Sequence, residues 1–266
     1  DLEDLKSNFL NIFGENKIPK LVHFDGKAIT GTVKNFNNKR QSFLFVVSAY
    51  SSDLKQILGM ESFNSKEESE ITIVQKLIKK LNLREKIITA DALHSTNKTM
   101  QLIREHKSDY ILQVKGNRMK VLKEIKNITE TKLSKSKYKK TEKNKNRIEK
   151  REIRVYEANK KLKTNWTGIE EVILLERNGK KHYYITSLKN KEAEFIGEII
   201  RKHWTIEVMH YVKDIVMKED DGKVKNKILA FGLSLLRSLS INIMSLANKD
   251  SPTSFIRAYA HNIPAL

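Results

Sequence analysis

Three carboxylates stand where their chemistry needs a reason. Asp25 follows an apolar run in LVHFDGKAI, Asp91 closes KIITAD, and Glu207 lies within the helical pattern from Glu192 to about Met217. Alternation along the first run places Asp25 beside core residues, although Asp-Gly is also a turn-forming dipeptide. Asp91 sits at the carboxyl end of a β-rich run, where ligands of open α/β sheets gather, and equally at the N-cap position of whatever helix follows. At 100° per residue, Ile196, Ile200, Trp204 and Tyr211 share one stripe, and His203, Glu207 and Asp214 fall inside it. A core-facing stripe that carries acids must either pair them with Lys or Arg or give them to a metal.

Three carboxylates on separate elements, in a chain without cysteine, suit hard, oxygen-seeking cations such as Mg²⁺ or Mn²⁺. Two such ions about 4 Å apart activate an attacking hydroxyl and stabilise a leaving oxygen, which is what phosphodiester chemistry requires. No GxxxxGK[ST] phosphate loop, HExxH or GxSxG competes for the chemistry. The charge balance agrees. Lys and Arg number 51 against 32 Asp and Glu, for a net charge of +19 and a pI near 9.8. The natural partner is a polyanion, and because the basic residues are scattered over many segments, nucleic acid fits better than a membrane surface. The lack of cysteine excludes disulfides, thiolate metal sites and a cysteine nucleophile, and points to a reducing compartment, the cytoplasm.

The elements that must position these carboxylates are readable from periodicity. Leu21 to Ile29, Phe43 to Tyr50 and Lys86 to Ala90 read as strands. Glu70 to Leu83 reads as an amphipathic helix, with Ile73, Leu77 and Leu81 at four-residue spacing. Asn97 to His106 is helical by pattern and Tyr110 to Val114 is a short strand, so the first half is an α/β domain. Composition then shifts: Lys132 to Arg151 holds ten Lys or Arg against two acids, a solvated loop or linker, or else a DNA-facing arm. Strands follow at Ile153 to Glu157, Val172 to Arg177 and His182 to Ser187, the last two joined by the hairpin signal Asn178-Gly179. A second helix covers Lys225 to Ala247, and a third starts at Ser251-Pro252. The run Ile228 to Ala247 is about long enough to cross a bilayer, but Arg237 at its middle, with Ser234, Ser238, Ser240 and Asn242, favours a helix buried against protein. The chain opens at Asp1 without the start of a signal peptide and reads as a fragment.

Eight ordered stretches carry a family resemblance: FDGKAITG, FVVSAY, KEESEIT, ITADALHS, YILQVKGN, RIEKREIRV, YYITSL and RKHWTIEVMHYVKDIVMKEDD. Together they resemble the insertion-sequence transposases of the H-repeat-associated (ISAs-type) group, DDE enzymes with an RNase-H-like fold, over residues from about 20 to 247. The resemblance implies an α/β fold, a mixed sheet flanked by helices and interrupted by a β-rich insertion before the glutamate-bearing helix. It divides the chain into a remnant N-terminal segment (1–20), the first part of the catalytic domain (21–119), a basic β-containing insertion (120–190), a helical completion (191–247) and a tail (248–266).

Asp25, Asp91 and Glu207 are then the catalytic triad, separated by 66 and 116 residues, and hold the Mg²⁺ or Mn²⁺ ions, two in number. Lys27, Lys115, Asn117, Arg147, Lys150, Arg151, His203 and Trp204 are expected to position DNA or shape the site, with core packing as the other reading of Trp204. His203 and Asp214 stand where the wider class has Arg and Lys around its glutamate, and Lys145-Asn146 replaces a His-Gly of the family. The implied function is metal-dependent cleavage of transposon ends and strand transfer to target DNA. The partners are end inverted repeats, target DNA and a second copy of the chain, in the bacterial cytoplasm and at the nucleoid when bound to DNA. Two rivals share these residues: an RNase-H-like nuclease that cuts without joining, and a truncated, catalytically silent DNA-binding remnant.

Overall fold

The structure, a computed structural model, describes residues 19–33, 43–64, 68–144 and 147–247. The helix expected from Ser251, the tail and most of the N-terminal segment lie outside the described residues, as do Lys145-Asn146 and the side chain of Arg147. The described chain forms two compact units: one from the residues up to Leu81 together with those from Thr205, the other from Asn82 to Trp204.

In the first unit β1 (Leu21–Ile29), β2 (Leu44–Ser51) and β3 (Gln56–Asn64) pair antiparallel as a meander, with Asp25 opposite Ser48 and Lys27 opposite Val46. Phe24 and Val22 on β1 are fully buried, so Asp25 and Lys27, on alternate positions, share the other face. Helix α1 (Glu70–Lys80) is N-capped by the Ser69 side chain and buries Ile73, Val74, Leu77 and Ile78, the face its periodicity predicts. β3 was not expected, because its apolar residues Ile57, Leu58, Met60 and Phe63 do not alternate.

Helix α6 (Lys227–Ala247), numbered after the four helices of the second unit's stretch of chain, is long and apolar enough to cross a membrane by length and composition. Here it packs Ala230, Phe231, Leu235 and Ile241 into a core shared with Ile57, Met60, Ile206 and Met209. The polar residues on its inner face find partners there. Ser238 donates to the Ser234 carbonyl, Arg237 donates through Nε to the Met217 carbonyl, and Asn242 takes the Ile57 N–H and donates to the Ile57 carbonyl, each at 2.8 Å. Asn242 thus stands in for a neighbouring strand. A close approach also fixes Gly31, where any Cβ would lie 2.0 Å from the Gly222 carbonyl oxygen.

In the second unit β4 (Ile87–Ala90) and β5 (Asp109–Val114) run parallel, with α2 (Asn97–Glu105) as the crossover between them. The sheet continues through β9 (Lys180–Thr186), β8 (Glu171–Arg177), β7 (Arg147–Glu157) and β6 (Ser136–Asn144), all antiparallel. The β8–β9 turn forms at Asn178-Gly179, both with positive φ (48° and 78°), as the dipeptide predicts. Helices α3 (Met119–Thr131) and α4 (Lys160–Asn165) lie in the segment read as β-containing. α5 (Ala193–Tyr211) starts in this unit and ends in the first.

The basic stretch Lys132 to Arg151 is not a loop or linker. Most of it is the β6–β7 hairpin, paired from Ser136↔Val155 to Asn144↔Arg147. Acids placed by the pairing make this possible: Glu152 lies 3.1 Å from Lys137 and 3.0 Å from Lys139, and Glu142 is paired with Arg151. Opposite charges across strands relieve the repulsion that a one-dimensional count of lysines suggests.

Replacing Asn242 by Ala orphans a buried donor and a buried acceptor of Ile57, and is expected to cost about 2–4 kcal/mol in urea unfolding. An unchanged urea midpoint would show that water satisfies β3 equally well.

Candidate active site

Asp25 is mid-strand, not in a turn. Its side chain is 29% exposed, and Oδ2 lies 3.2 Å from Nδ1 of His210 on α5. Two residues on, Lys27 enters a charge cluster. Its ammonium contacts Asp214, Glu219 at 2.9 Å and Asp220 at 3.5 Å, with the lysine side chain only 14% exposed. The structure therefore places Lys27, expected at DNA, among carboxylates. Behind it, Lys213 and Glu219 are both 2% exposed and 3.3 Å apart, and Lys213 also donates to Ser234 Oγ at 2.8 Å.

The stripe expected on α5 is corrected by burial. Ile196 and Ile200 are inside, but Trp204 and Tyr211 are 44% and 60% exposed, and Glu207 is exposed as well. The buried positions in the second half of the helix are Ile206, Met209 and His210. At about 100° per residue they centre on the side of the helix opposite Trp204 and Tyr211. Glu207 is thus not a buried charge. Asp214 forms the internal ion pair that was the alternative for this helix. After Tyr211 a π-helical turn, Val212–Val216, closes with Met217 N–H on the Val212 carbonyl. That turn brings consecutive Val212 and Lys213 both inside.

In the second unit Asp91 ends β4 with its side chain 45% exposed. It does cap: Oδ1 accepts the Leu93 N–H at 2.8 Å. The turn after it, residues 92–95, is held by two side chains that follow β5, Asn117 on the Ala92 carbonyl and Arg118 on the Ser95 carbonyl. Asn117, expected to contact DNA, here braces the Asp91 turn. His203 is hydrogen-bonded through Nδ1 to Thr89 Oγ1 at 2.7 Å, two residues before Asp91. The Arg177 guanidinium lies 3.8 Å over the Trp204 ring. Arg151 is ion-paired to Glu142 and Glu149, whereas Lys115 and Lys150 are exposed. Among the described residues no group of three or more His, Asp or Glu side chains is arranged to hold a metal ion.

The sequence reading missed His210, Lys213 and Glu219. His210 and Lys213 follow Glu207 by three and six residues, a helical repeat that signalled one face but not which face is buried.

The geometry defines an α/β chain with carboxylates at a strand centre, a strand end and a helix flank. Residues 19–243 match the family model described as "Transposase DDE domain", and the chain belongs to that family. Within it the chain falls with the H-repeat-associated group. It is 27% identical over 245 residues to "Putative transposase YncI" of Escherichia coli O157:H7, covering 85% of this chain and 62% of the relative. It is 27% identical over 250 residues to "H repeat-associated putative transposase YhhI" of E. coli K12, covering 85% and 64%. The chain thus spans just under two thirds of these relatives. Among solved structures, a piggyBac transposase synaptic complex with hairpin DNA aligns with a TM-score of 0.55 at 10% identity, covering 91% of this chain and 52% of that one. The likeness establishes the fold as RNase-H-like.

The buried pair generates a stability prediction. Burial pushes the Lys213 ammonium down to about 8 against the pull of Glu219. Burial would raise the Glu219 carboxyl, but Lys213 and Lys27 outweigh it and bring it down to about 2. The contribution of Glu219 is therefore full above its ordinary 4.5 and is lost as pH falls from there towards 2. Lys213, a depressed base, gives stability that rises as pH climbs from about 8 towards its ordinary 10.5. Lys213→Met is expected to cost about 3–5 kcal/mol in denaturant unfolding at pH 7, since it strands a buried carboxylate, and adding Glu219→Leu recovers most of the loss. The double variant also has a shallower acid limb than the wild type. A single variant as stable as the wild type would contradict the burial of this pair.

Proposed function

We propose that this chain is the catalytic part of a transposase that nicks transposon ends and joins the freed 3′ hydroxyl to target DNA. The observation that carries the reading is the family match over residues 19–243, a span that contains Asp25, Asp91 and Glu207. In this reading segments 21–119 and 191–247 build the catalytic domain around an insertion at 120–190. Asp25, Asp91 and Glu207 hold Mg²⁺ or Mn²⁺. The donor set fits: all three are carboxylates with solvent access, the hard oxygen donors such ions prefer. When bound, the ions lower the pKa of a water or hydroxyl and offset charge on the phosphoryl oxygens.

The chain's own residues do the rest. Arg118 and Asn117 hold the Asp91 turn in place, and the Leu93 N–H fixes the carboxylate's orientation. Exposed Lys115 and Lys150, with Arg147, contact DNA phosphates. His203 and Trp204 shape the site from α5, and two copies of the chain act on two ends, in the bacterial cytoplasm.

Incubation with Mn²⁺ and DNA bearing the element's own ends tests this. The expected products are nicks with 3′ hydroxyl termini, reduced about a hundredfold or more by Asp91→Ala. Nicks without joined products would assign a nuclease. DNA binding without nicks in either protein would assign a silent remnant. Binding itself is expected to weaken steeply with salt, as phosphate contacts release counterions.

A further inference from the structure

His210 is a buried polar side chain that the triad does not include. The whole residue is 8% exposed, its Nδ1 lies 3.2 Å from Asp25 Oδ2, and its Nε2 is buried without a hydrogen-bond partner among the described residues. The ring therefore has one polar contact to make, and it makes it to the carboxylate of β1. With a proton on Nδ1 the ring can donate to Oδ2, the one carboxylate oxygen within reach at 3.2 Å. The imidazole is held from both sides in sequence. Met209 packs into the core before it, and Val212 and Lys213 are buried just after it, at the start of the π-helical turn. On the strand side, Lys27 is tied to Asp214, Glu219 and Asp220, so β1 is anchored two residues beyond Asp25.

We propose that His210 is a positioning residue for Asp25. Its Nδ1–H engages Oδ2, sets the carboxylate rotamer and leaves Oδ1 directed at a ligand. Outer partners of this kind orient metal-binding carboxylates and tune their affinity. The inference rests on the reading of Asp25 as a metal ligand. It predicts that the position of the donor atom matters, not merely the presence of a polar side chain. Asparagine at 210 places its amide nitrogen close to where Nδ1 stands, glutamine places it near Nε2, and leucine has no donor.

The test is Mn²⁺ binding to the whole chain without DNA, followed by water proton relaxation, in the wild type and in Asp25→Ala, His210→Asn, His210→Gln and His210→Leu. Thermal melting of each variant accompanies it. Asp25→Ala is expected to weaken binding, His210→Leu and His210→Gln to weaken it about tenfold or more, and His210→Asn to stay near the wild type. If His210→Leu fails to fold, the contrast between Asn and Gln decides alone. Equal Mn²⁺ affinity for Asn and Gln, in a protein whose binding still depends on Asp25, overturns the role of His210 and leaves the metal reading intact. Binding indifferent to Asp25→Ala overturns both.

Discussion

The first unit is organised around a charge that has to be buried. Lys213 enters the interior only because a π-helical turn interrupts the end of α5, and it is tolerated there only because Glu219 and the Ser234 hydroxyl meet it. An ammonium without those partners would face a desolvation cost of several kcal/mol. The consequences spread outward. Glu219 N–H bonds to the Lys213 carbonyl, so the chain folds back on itself between the two. Arg237 takes up the Met217 carbonyl, Asp220 accepts the Thr30 N–H, and Lys27 bridges three of the acids. The segment after α5 has little regular structure of its own, and this network gives it a definite path. The strand that carries Asp25 and the end of the helix that carries Glu207 are anchored to the same charges.

What the sequence disclosed, and what it hid, follows from the range of the forces involved. Period and turn chemistry are local, so β1, α1, α2 and the Asn178-Gly179 hairpin were legible from spacing alone. β3 was not, because Gln56–Asn64 buries residues on both faces and shows no alternation. Nor was α3: its Val121, Ile125 and Ile128 repeat was present, but the lysines around it resembled the basic stretch that follows. On α5 the phase of the apolar stripe drifts along the helix, and a single angular average placed Glu207 inside. The partners of Asp25 and Asp91 were out of reach for a different reason. His210 is 185 residues from Asp25, and Asn117 is 26 from Asp91, so no spacing rule links them.

The basic hairpin illustrates how a net charge can mislead. Ten cations in twenty residues read as a solvated loop or linker, or else as a DNA-facing arm; strand pairing sets Glu152 between Lys137 and Lys139, and Glu142 beside Arg151 and Lys140. Sheet formation thus converts a linear excess into a lattice in which the acids are shared. The lysines left over are held at strand spacing, with every second residue about 7 Å along. A polyanion meeting such a surface would meet charges already in place, without the ordering entropy that a flexible tail loses on binding.

Two readings of an acidic residue are often set against each other, as helix cap or ligand, as structural pair or reactive group. Asp91 shows why the opposition is weak. An ionised carboxylate offers roughly four acceptor positions, and the Leu93 N–H uses one of them at Oδ1. The cap costs the group little of its capacity and removes most of its rotational freedom. A carboxylate that must meet a cation or a phosphate in one orientation gains from such a restraint, because freedom lost in folding need not be lost again on binding. Asp25 meets a histidine and Asp91 a backbone amide. Both contacts are compatible with the function proposed for these residues, and they would supply the orientation that such a function needs.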